Sequence, residues 1–316
     1  MSEQNKEPRT VTVIGAGTIG LSWIALFLGY GLRVRVNSRR PEAERIVQEG
    51  IALFAPFLPE EADRLADSAD RLEFEPNLET AVADADVIVE NAPDNLELKQ
   101  ELFERVGKAA PAGALILSST SMLSPDAMGA RMADRSRLVV GHPFNPPHVV
   151  PLIEVVAGEE TDPEAVREAV EFYRSVGRVP VVLRKQILAF AANRLQNALL
   201  RESIHLVREG VVTVGELDEV VTNSIGLRWS TIGPFHAFHL GGGEGGLRKW
   251  LTGRAVGMEQ GWELLGRPRV DDDLIETLVA QAEEAFGDKT YAELVRSRDT
   301  KQLAVLKALA SVAPNA

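Results

Sequence analysis

The chain has 316 residues, of which 45% are hydrophobic and 25% charged, and its net charge at pH 7 is −12. This composition is typical of a folded protein of two domains, and the acidic balance argues against nucleic acid or a membrane surface as a partner. There is no cysteine, which excludes disulfides, thiolate nucleophiles and cysteine-bound metals. The polar segment 1–8 is unlike a signal peptide, and no apolar run reaches the length of about 20 residues that a membrane span needs. A cytoplasmic location is therefore expected.

Short apolar strands alternate with amphipathic helices over the first two thirds of the chain. Strands are predicted at Thr10–Ile14, Arg33–Asn37, Ala85–Glu90, Ala114–Ser118, Arg137–Gly141 and Leu152–Val156. Helices are predicted between them at Thr18–Gly29, Glu97–Lys108 and Pro163–Ser175. Such alternation indicates βαβ units and a mostly parallel sheet.

The pattern changes near Arg184, after which no strand is predicted. Apolar residues then recur at helical spacing, at Ile187, Leu188, Ala191, Leu195, Leu199 and Leu206. The sequence therefore predicts an α/β Rossmann-type parallel-sheet domain over residues 1–184, followed by a smaller all-α domain over 185–316.

A glycine-rich motif directly follows the first predicted strand. Its G-x-G-x-x-G pattern consists of Gly15, Ala16, Gly17, Thr18, Ile19 and Gly20. Glycines in this pattern allow a tight turn and let the backbone approach a pyrophosphate at a helix N-terminus. Because strand, glycines and helix occur in the required order, the motif predicts dinucleotide binding rather than a simple turn.

The second predicted strand ends without the carboxylate that commonly binds the ribose hydroxyls of NAD. Ser38, Arg39 and Arg40 stand there instead. Arginine suits a phosphate because its donors form a planar fork. We therefore expect NADP(H) in preference to NAD(H), with these three residues around the 2′-phosphate; a solvated basic turn is the alternative.

His142 and Glu154 are the candidate catalytic pair. His142 ends a predicted strand, where catalytic groups cluster in open α/β sheets, and Glu154 interrupts an apolar run. A buried carboxylate is costly unless it is paired, and a histidine returned by the intervening loop is a suitable partner. Residue chemistry alone leaves an alternative equally open, in which Glu154 is solvated on an edge strand.

The spacing of these residues resembles that of the 3-hydroxyacyl-CoA dehydrogenase family. His142, Asn145-Pro146 and Glu154 match the family's histidine, Asn-Pro and a glutamate twelve residues beyond the histidine. Ser121 matches the serine of its Thr-Ser motif, and Asn193 matches the asparagine of its Asn-Arg-Leu motif. The resemblance implies that His142, Glu154, Ser121 and Asn193 are catalytic, with Asn193 on the helical domain.

The resemblance also implies cofactor contacts from Asp94, Lys99 and Asn145, and a homodimer built on the helical domain. No metal is expected, because His236 and His239 could share one helical face but no third ligand is evident. The similarity is greatest to the branch that holds L-gulonate 3-dehydrogenase (lambda-crystallin) and L-carnitine dehydrogenase. Two departures stand out. Ser38 replaces the family's usual Asp, and Leu188-Ala189-Phe190 replaces its Pro-Gly-Phe.

The predicted activity is the NAD(P)H-dependent interconversion of a β-hydroxy and a β-keto group in a small acyl thioester or related carboxylic acid. A ketoreductase of a polyketide pathway is one alternative, because reductive biosynthesis commonly draws on NADPH. A non-enzymatic, crystallin-like dinucleotide binder is another. The 6-phosphogluconate dehydrogenase type is disfavoured, because Lys185 lies too far before Asn193 and no glycine-rich turn precedes it.

Overall fold

A computed structural model describes residues 9–312, so the expectation about segment 1–8 lies outside the described residues. By its contacts the chain divides into two compact units, residues 1–193 and 194–316. The division falls a little beyond the predicted domain boundary. None of the helices within residues 9–312 combines the length and apolarity that crossing a bilayer requires.

The first unit is built on an eight-stranded sheet. Its strands are β1 Thr10–Ile14, β2 Arg33–Asn37, β3 Leu72–Phe74, β4 Val87–Glu90, β5 Leu115–Ser118, β6 Leu138–Pro143, β7 Leu152–Ala157 and β8 Val179–Val182. They lie in the order β3-β2-β1-β4-β5-β6-β7-β8. Every neighbouring pair is parallel except β6 and β7, which are antiparallel. The central strands are continuous apolar runs because helices cover both faces of the sheet.

The helices of the first unit pack on the two faces of this sheet. They are α1 Thr18–Gly29, α2 Ala43–Phe54, α3 Leu78–Val82, α4 Leu96–Ala109, α5 Pro125–Met128 and α6 Pro163–Ser175. On one face, Trp23 and Phe27 of α1 stack with ring centroids 5.2 Å apart and meet Phe172 and Tyr173 of α6. On the other face Phe103 of α4 belongs to a second buried cluster.

The predicted fold class is confirmed, and all six predicted strands are present within two residues of their predicted bounds. The structure adds β3 and β8, which the sequence did not reveal. The first has only three residues. The second carries Pro180 at the edge of the sheet and is largely exposed, so it lacks the apolar pattern of a covered strand.

The second unit is helical throughout its described part, residues 194–312. Its helices are α7 Ala191–Arg208, which begins in the first unit, α8 Val214–Thr222, α9 Ile225–Trp229, α10 Pro234–Gly241, α11 Gly246–Glu263, α12 Asp272–Phe286 and α13 Tyr291–Ser311. The glycine run 241–246 turns the chain from α10 into α11. Capping boxes at Thr213 and Thr290 begin α8 and α13 by satisfying free backbone N–H groups.

Helix α7 begins later than the apolar spacing indicated. Ile187 and Leu188 lie in the preceding turn. The helix cannot extend back through them, because Ala189 and Phe190 have φ angles of +63° and +50°, in the left-handed region.

Candidate active site

The glycine-rich turn between β1 and α1 has the shape of a phosphate cradle. Gly15 has φ +92°, and a side chain at Gly20 would meet the Gly15 carbonyl oxygen at 1.9 Å. A Cβ on Gly17, in contrast, would enter open space in front of α1. No side chain caps that helix N-terminus and no acidic residue stands in its first turn, so its N–H groups can receive an anion. These residues fit a dinucleotide pyrophosphate.

Ser38, Arg39 and Arg40 lie beside this cradle, directly after β2. The Gly15 N–H donates to the Asn37 carbonyl oxygen at 2.9 Å, which joins the end of β2 to the glycine turn. Ser38 is half-buried, whereas Arg39 and Arg40 are exposed. Neither guanidinium forms an ion pair with another residue in the part of the chain described, so both can meet an external anion.

His142 and Glu154 form a buried pair across the antiparallel strands. The register of β6 and β7 places them directly opposite each other. His142 Nδ1 lies 2.9 Å from Glu154 Oε2, and the residues are only 5% and 2% exposed. The alternative of a solvated Glu154 is wrong, because β8 covers the outer edge of β7 and the carboxylate is enclosed.

The second oxygen of Glu154 receives the first turn of α7. Glu154 Oε1 accepts the backbone N–H groups of Ala191 at 2.8 Å and Ala192 at 2.9 Å. Burial alone would raise the pKa of Glu154, but the hydrogen bonds from His142, Ala192 and Ala191 outweigh it and hold the pKa below its usual value. Glu154 is therefore an ionised acceptor at neutral pH.

The ionised carboxylate fixes the tautomer of His142. Because Glu154 can only accept, Nδ1 carries the ring proton, and Nε2 of the neutral ring keeps its lone pair. The Phe190 ring packs 5.3 Å from the imidazole and the Phe144 ring meets it edge-on at 6.3 Å. The arrangement presents one nitrogen that can take up or release a proton.

Asp94 and Ser121 lie in the loops that follow β4 and β5, and Lys99 lies close to them. Asp94 Oδ2 accepts from Ser121 Oγ at 3.0 Å and from Ser121 N at 3.1 Å. Lys99, on α4, is buried and donates to Glu90 Oε1 at 2.6 Å. Its Nζ also lies 3.6 Å from Asp94 Oδ1.

The two asparagines occupy different places. Asn145 is exposed in the loop after β6. Asn193 lies in the first turn of α7, just beyond the two N–H groups that bond Glu154. It is the last residue of the first unit. Within residues 9–312 its side chain has no hydrogen bond to another residue, so it can bond a ligand.

Sequence reasoning missed three residues of this neighbourhood. Glu90 and Ser118 end β4 and β5 opposite each other and are fully buried, and Ser118 Oγ donates to Glu90 Oε2 at 2.6 Å. A carboxylate in an otherwise apolar strand was the signal for Glu90, and a similar signal, a carboxylate that interrupts an apolar run, singled out Glu154. Phe190 gave no comparable signal, because its contact with His142 depends on the turn before α7.

Comparisons with known proteins agree with this fold. The family model described as 3-hydroxyacyl-CoA dehydrogenase, NAD binding domain, matches residues 10–187, and the 3-hydroxyacyl-CoA dehydrogenase C-terminal domain matches residues 190–295. An L-carnitine dehydrogenase of Streptomyces coelicolor is 40% identical over 306 residues, which is 97% of this chain and 96% of that protein.

Two solved structures are also similar. A 3-hydroxyacyl-CoA dehydrogenase of Archaeoglobus fulgidus is 27% identical, with a TM-score of 0.66 and coverage of 95% of this chain and 99% of the other. A 5-formyl-3-hydroxy-2-methylpyridine 4-carboxylic acid 5-dehydrogenase, described as an NAD+ dependent dismutase, is 27% identical with a TM-score of 0.77. It covers 96% of this chain and 98% of its own.

The fold and the matches define a two-domain nicotinamide-dependent oxidoreductase that acts on CH–OH groups. The chain belongs to the 3-hydroxyacyl-CoA dehydrogenase family, which confirms the resemblance that the motif spacing indicated.

Proposed function

We propose that the protein interconverts a β-hydroxy and a β-keto group of an acyl thioester or related carboxylic acid, with His142 as acid/base. The His142 Nδ1–Glu154 Oε2 contact of 2.9 Å carries this proposal, because it leaves Nε2 as the group that exchanges a proton. When bound, a nicotinamide ring accepts or supplies the hydride at its C4 atom.

In the oxidising direction, His142 Nε2 takes the proton of the substrate hydroxyl. The imidazolium that forms is stabilised by the Glu154 carboxylate, which stays ionised. In the reducing direction, the same imidazolium gives its proton to the forming alkoxide. Ser121 and Asn193 contact the reacting oxygen and help to hold the substrate against His142.

The substrate class is chosen from the family and the relatives together. The family description names a 3-hydroxyacyl-CoA substrate, and L-carnitine, after which the Streptomyces relative is named, is itself a β-hydroxy acid. A β-hydroxy carbonyl compound is common to both. A polyketide-pathway ketoreductase falls within the same chemistry.

NADP(H) is the cofactor we propose to be preferred. The exposed guanidinium groups of Arg39 and Arg40, together with Ser38 in place of a carboxylate, support this choice. The family description and the dismutase structure name NAD instead. The proposed preference for NADP(H) over NAD(H) therefore rests on the three residues of this chain that follow β2.

We also propose a homodimer built on the second unit. In its described part only a few residues are buried, among them Val207, Leu274 and Val295. The side chains of Leu264 and Phe235 are 83% and 76% exposed to solvent. Such extensive apolar exposure is unusual for a free helical domain and is typical of a surface that a second copy covers.

An absorbance assay of nicotinamide oxidation and reduction tests the activity. Each cofactor is offered with a panel of β-keto acyl thioesters, β-keto acids, sugar acids and L-carnitine. Turnover of a β-hydroxy or β-keto compound supports the proposal. Absence of turnover across the whole panel, with both cofactors and in both directions, contradicts it and favours a binding protein without catalysis.

A further inference from the structure

A chain of hydrogen bonds and one ion pair leads from the buried sheet to Ser121. Lys99 Nζ donates to Glu90 Oε1 at 2.6 Å, to Glu90 Oε2 at 2.8 Å and to the Ala92 carbonyl oxygen at 3.1 Å. Both side chains are enclosed, at 1% exposure for Lys99 and 0% for Glu90. An ammonium held by three acceptors has a fixed position, and Asp94 Oδ1 lies 3.6 Å from it.

The other oxygen of Asp94 faces the serine. Asp94 Oδ2 accepts from Ser121 Oγ at 3.0 Å and from the Ser121 N–H at 3.1 Å. Burial raises the pKa of Asp94, but hydrogen bonds from Thr120 and Ser121 and the charge of Lys99 outweigh it, so the pKa lies below its usual value. Asp94 is an ionised carboxylate and can only accept.

The direction of the Ser121 hydroxyl follows from this charge. Its proton points at Asp94, and the Ser121 oxygen keeps its lone pairs for other groups. In this state Ser121 can accept a hydrogen bond from a ligand hydroxyl. To donate to a ligand carbonyl, it must first give up the bond to Asp94.

We propose that Asp94 is a positioning residue that sets the direction of the Ser121 hydroxyl, and that the buried Lys99–Glu90 pair holds Asp94 in place. This inference rests on the proposed function and deepens it. While its proton stays directed at Asp94, Ser121 cannot donate to a keto oxygen, so this arrangement disfavours the keto form of the substrate. The Asp94 side chain, which is 27% exposed, acts through the serine rather than on the reacting atoms.

A double-mutant cycle tests whether the two residues act together. Ser121→Ala and Asp94→Ala are each expected to lower kcat/KM by about 10- to 100-fold, as expected for loss of a hydrogen bond involving a charge. The double variant is expected to be no worse than the worse single variant. Losses that multiply would show that Asp94 acts independently of Ser121 and would overturn the proposal.

The ratio of Michaelis constants adds a readout that a purely structural role does not move. Asp94→Ala is expected to raise KM for the hydroxy substrate relative to KM for the keto substrate, because the freed Ser121 proton can then serve a carbonyl. Asp94→Glu is expected to recover part of the activity. Glu104→Ala, which removes a half-buried carboxylate that pairs with Lys108 on the same helix α4, serves as the control and is expected to leave activity unchanged. An unchanged ratio in Asp94→Ala contradicts the proposal.

A titration of the Asp94 carboxyl carbon by NMR tests the hydrogen bond without any turnover. Ser121→Ala removes one donor, so the Asp94 titration midpoint is expected to rise, whereas Ser119→Ala is expected to leave it in place. If the Asp94 midpoint does not change in Ser121→Ala, the proposed Ser121–Asp94 hydrogen bond is wrong. If the wild-type protein turns over nothing, the proposed activity fails, and the titration still decides whether Asp94 holds the serine proton.

Discussion

Glu154 divides its two oxygens between a catalytic candidate and a helix. Oε2 holds His142, and Oε1 receives two backbone N–H groups of α7. One carboxylate therefore fixes the histidine tautomer and satisfies the start of the helix that leads into the second unit. Its removal is expected to affect catalysis and stability by separate routes.

Replacement of either member of the pair is expected to abolish most turnover. His142→Ala loses the acid/base, and Glu154→Gln no longer fixes the tautomer, so kcat is expected to fall on the order of 10²–10⁴-fold in each. Cofactor affinity, measured by fluorescence titration, is expected to persist, because neither side chain belongs to the phosphate cradle. Glu159→Gln, an exposed carboxylate shortly after β7, is the control. Turnover close to wild type in both site variants would refute the assignment.

Glu154 is also expected to make stability depend on pH. Its pKa is lower in the folded protein than in the unfolded chain, so its contribution is present above the unfolded pKa of about 4.3 and is lost as the pH falls through the folded pKa. Urea unfolding of wild type and Glu154→Gln is expected to differ by about 1–3 kcal/mol at neutral pH. This difference in the free energy of unfolding is expected to narrow as the pH falls. A difference that stays constant at acidic pH would argue against an ionised Glu154.

The guanidinium groups after β2 are expected to select the cofactor. The wild-type KM is expected to be lower for NADPH than for NADH. Combined Arg39→Ala and Arg40→Ala substitution is expected to raise KM for NADPH on the order of 10²–10⁴-fold, because two charged hydrogen bonds of roughly 1.5–3 kcal/mol each are lost, and to leave KM for NADH unchanged. Arg45→Ala, on the neighbouring α2, is the control. A wild-type preference for NADH would reject the proposal.

At the scale of elements, the turn before α7 stands out. Ala189 and Phe190 adopt left-handed conformations, which cost side-chain-bearing residues roughly 1–2 kcal/mol each. The turn places the Phe190 ring beside His142 and brings the first N–H groups of α7 to Glu154. The strained segment therefore positions two contacts of the candidate site.

Ala189→Gly is expected to stabilise the protein. Glycine removes the left-handed strain, and its greater freedom in the unfolded chain offsets part of the gain, which leaves a net increase of about 1 kcal/mol in the free energy of unfolding. Urea denaturation measures it. Ala198→Gly, an exposed position about two turns into α7, is the matched control and is expected to lose stability. Destabilisation by Ala189→Gly would show that the turn is not strained in solution.

At the scale of the whole molecule, the two units differ in how completely they bury their apolar side chains. The first unit has two extensive buried clusters, one on each face of the sheet. The described part of the second unit leaves large residues exposed on several of its helices. This exposure supports the proposed homodimer, in which a second copy would cover these residues.

Sedimentation is expected to give twice the chain mass of 34.4 kDa for the wild type. Phe235→Asp combined with Leu264→Asp is expected to shift the equilibrium to the monomer, because burial of two carboxylates in an apolar interface is costly. Leu53→Asp, on α2 of the first unit, is the control and is expected to remain dimeric. A monomeric wild type would contradict the dimer.

The sequence by itself determined the elements whose signal is local. Strands buried on both faces are continuous apolar runs, the glycine motif has a fixed order, and the spacing of His142 and Glu154 matched a family pattern. These features yielded the fold class, the oxidoreductase class and a short set of candidate residues. The sequence did not predict edge strand β8 or the correct start of α7, because their conformations depend on neighbouring parts of the fold.

The sequence predicted the His142–Glu154 pair, but the tertiary structure alone decided the geometry of that pair and the pairing of the other polar groups. His142 and Glu154 lie opposite each other because β6 and β7 are antiparallel, which neither residue reveals in the sequence. The neighbours of Asp94 come from α4 and from the loop after β5. Hydrogen bonds between distant segments depend on ångström-scale distances that only packing sets, and these bonds determine which proton each group can give.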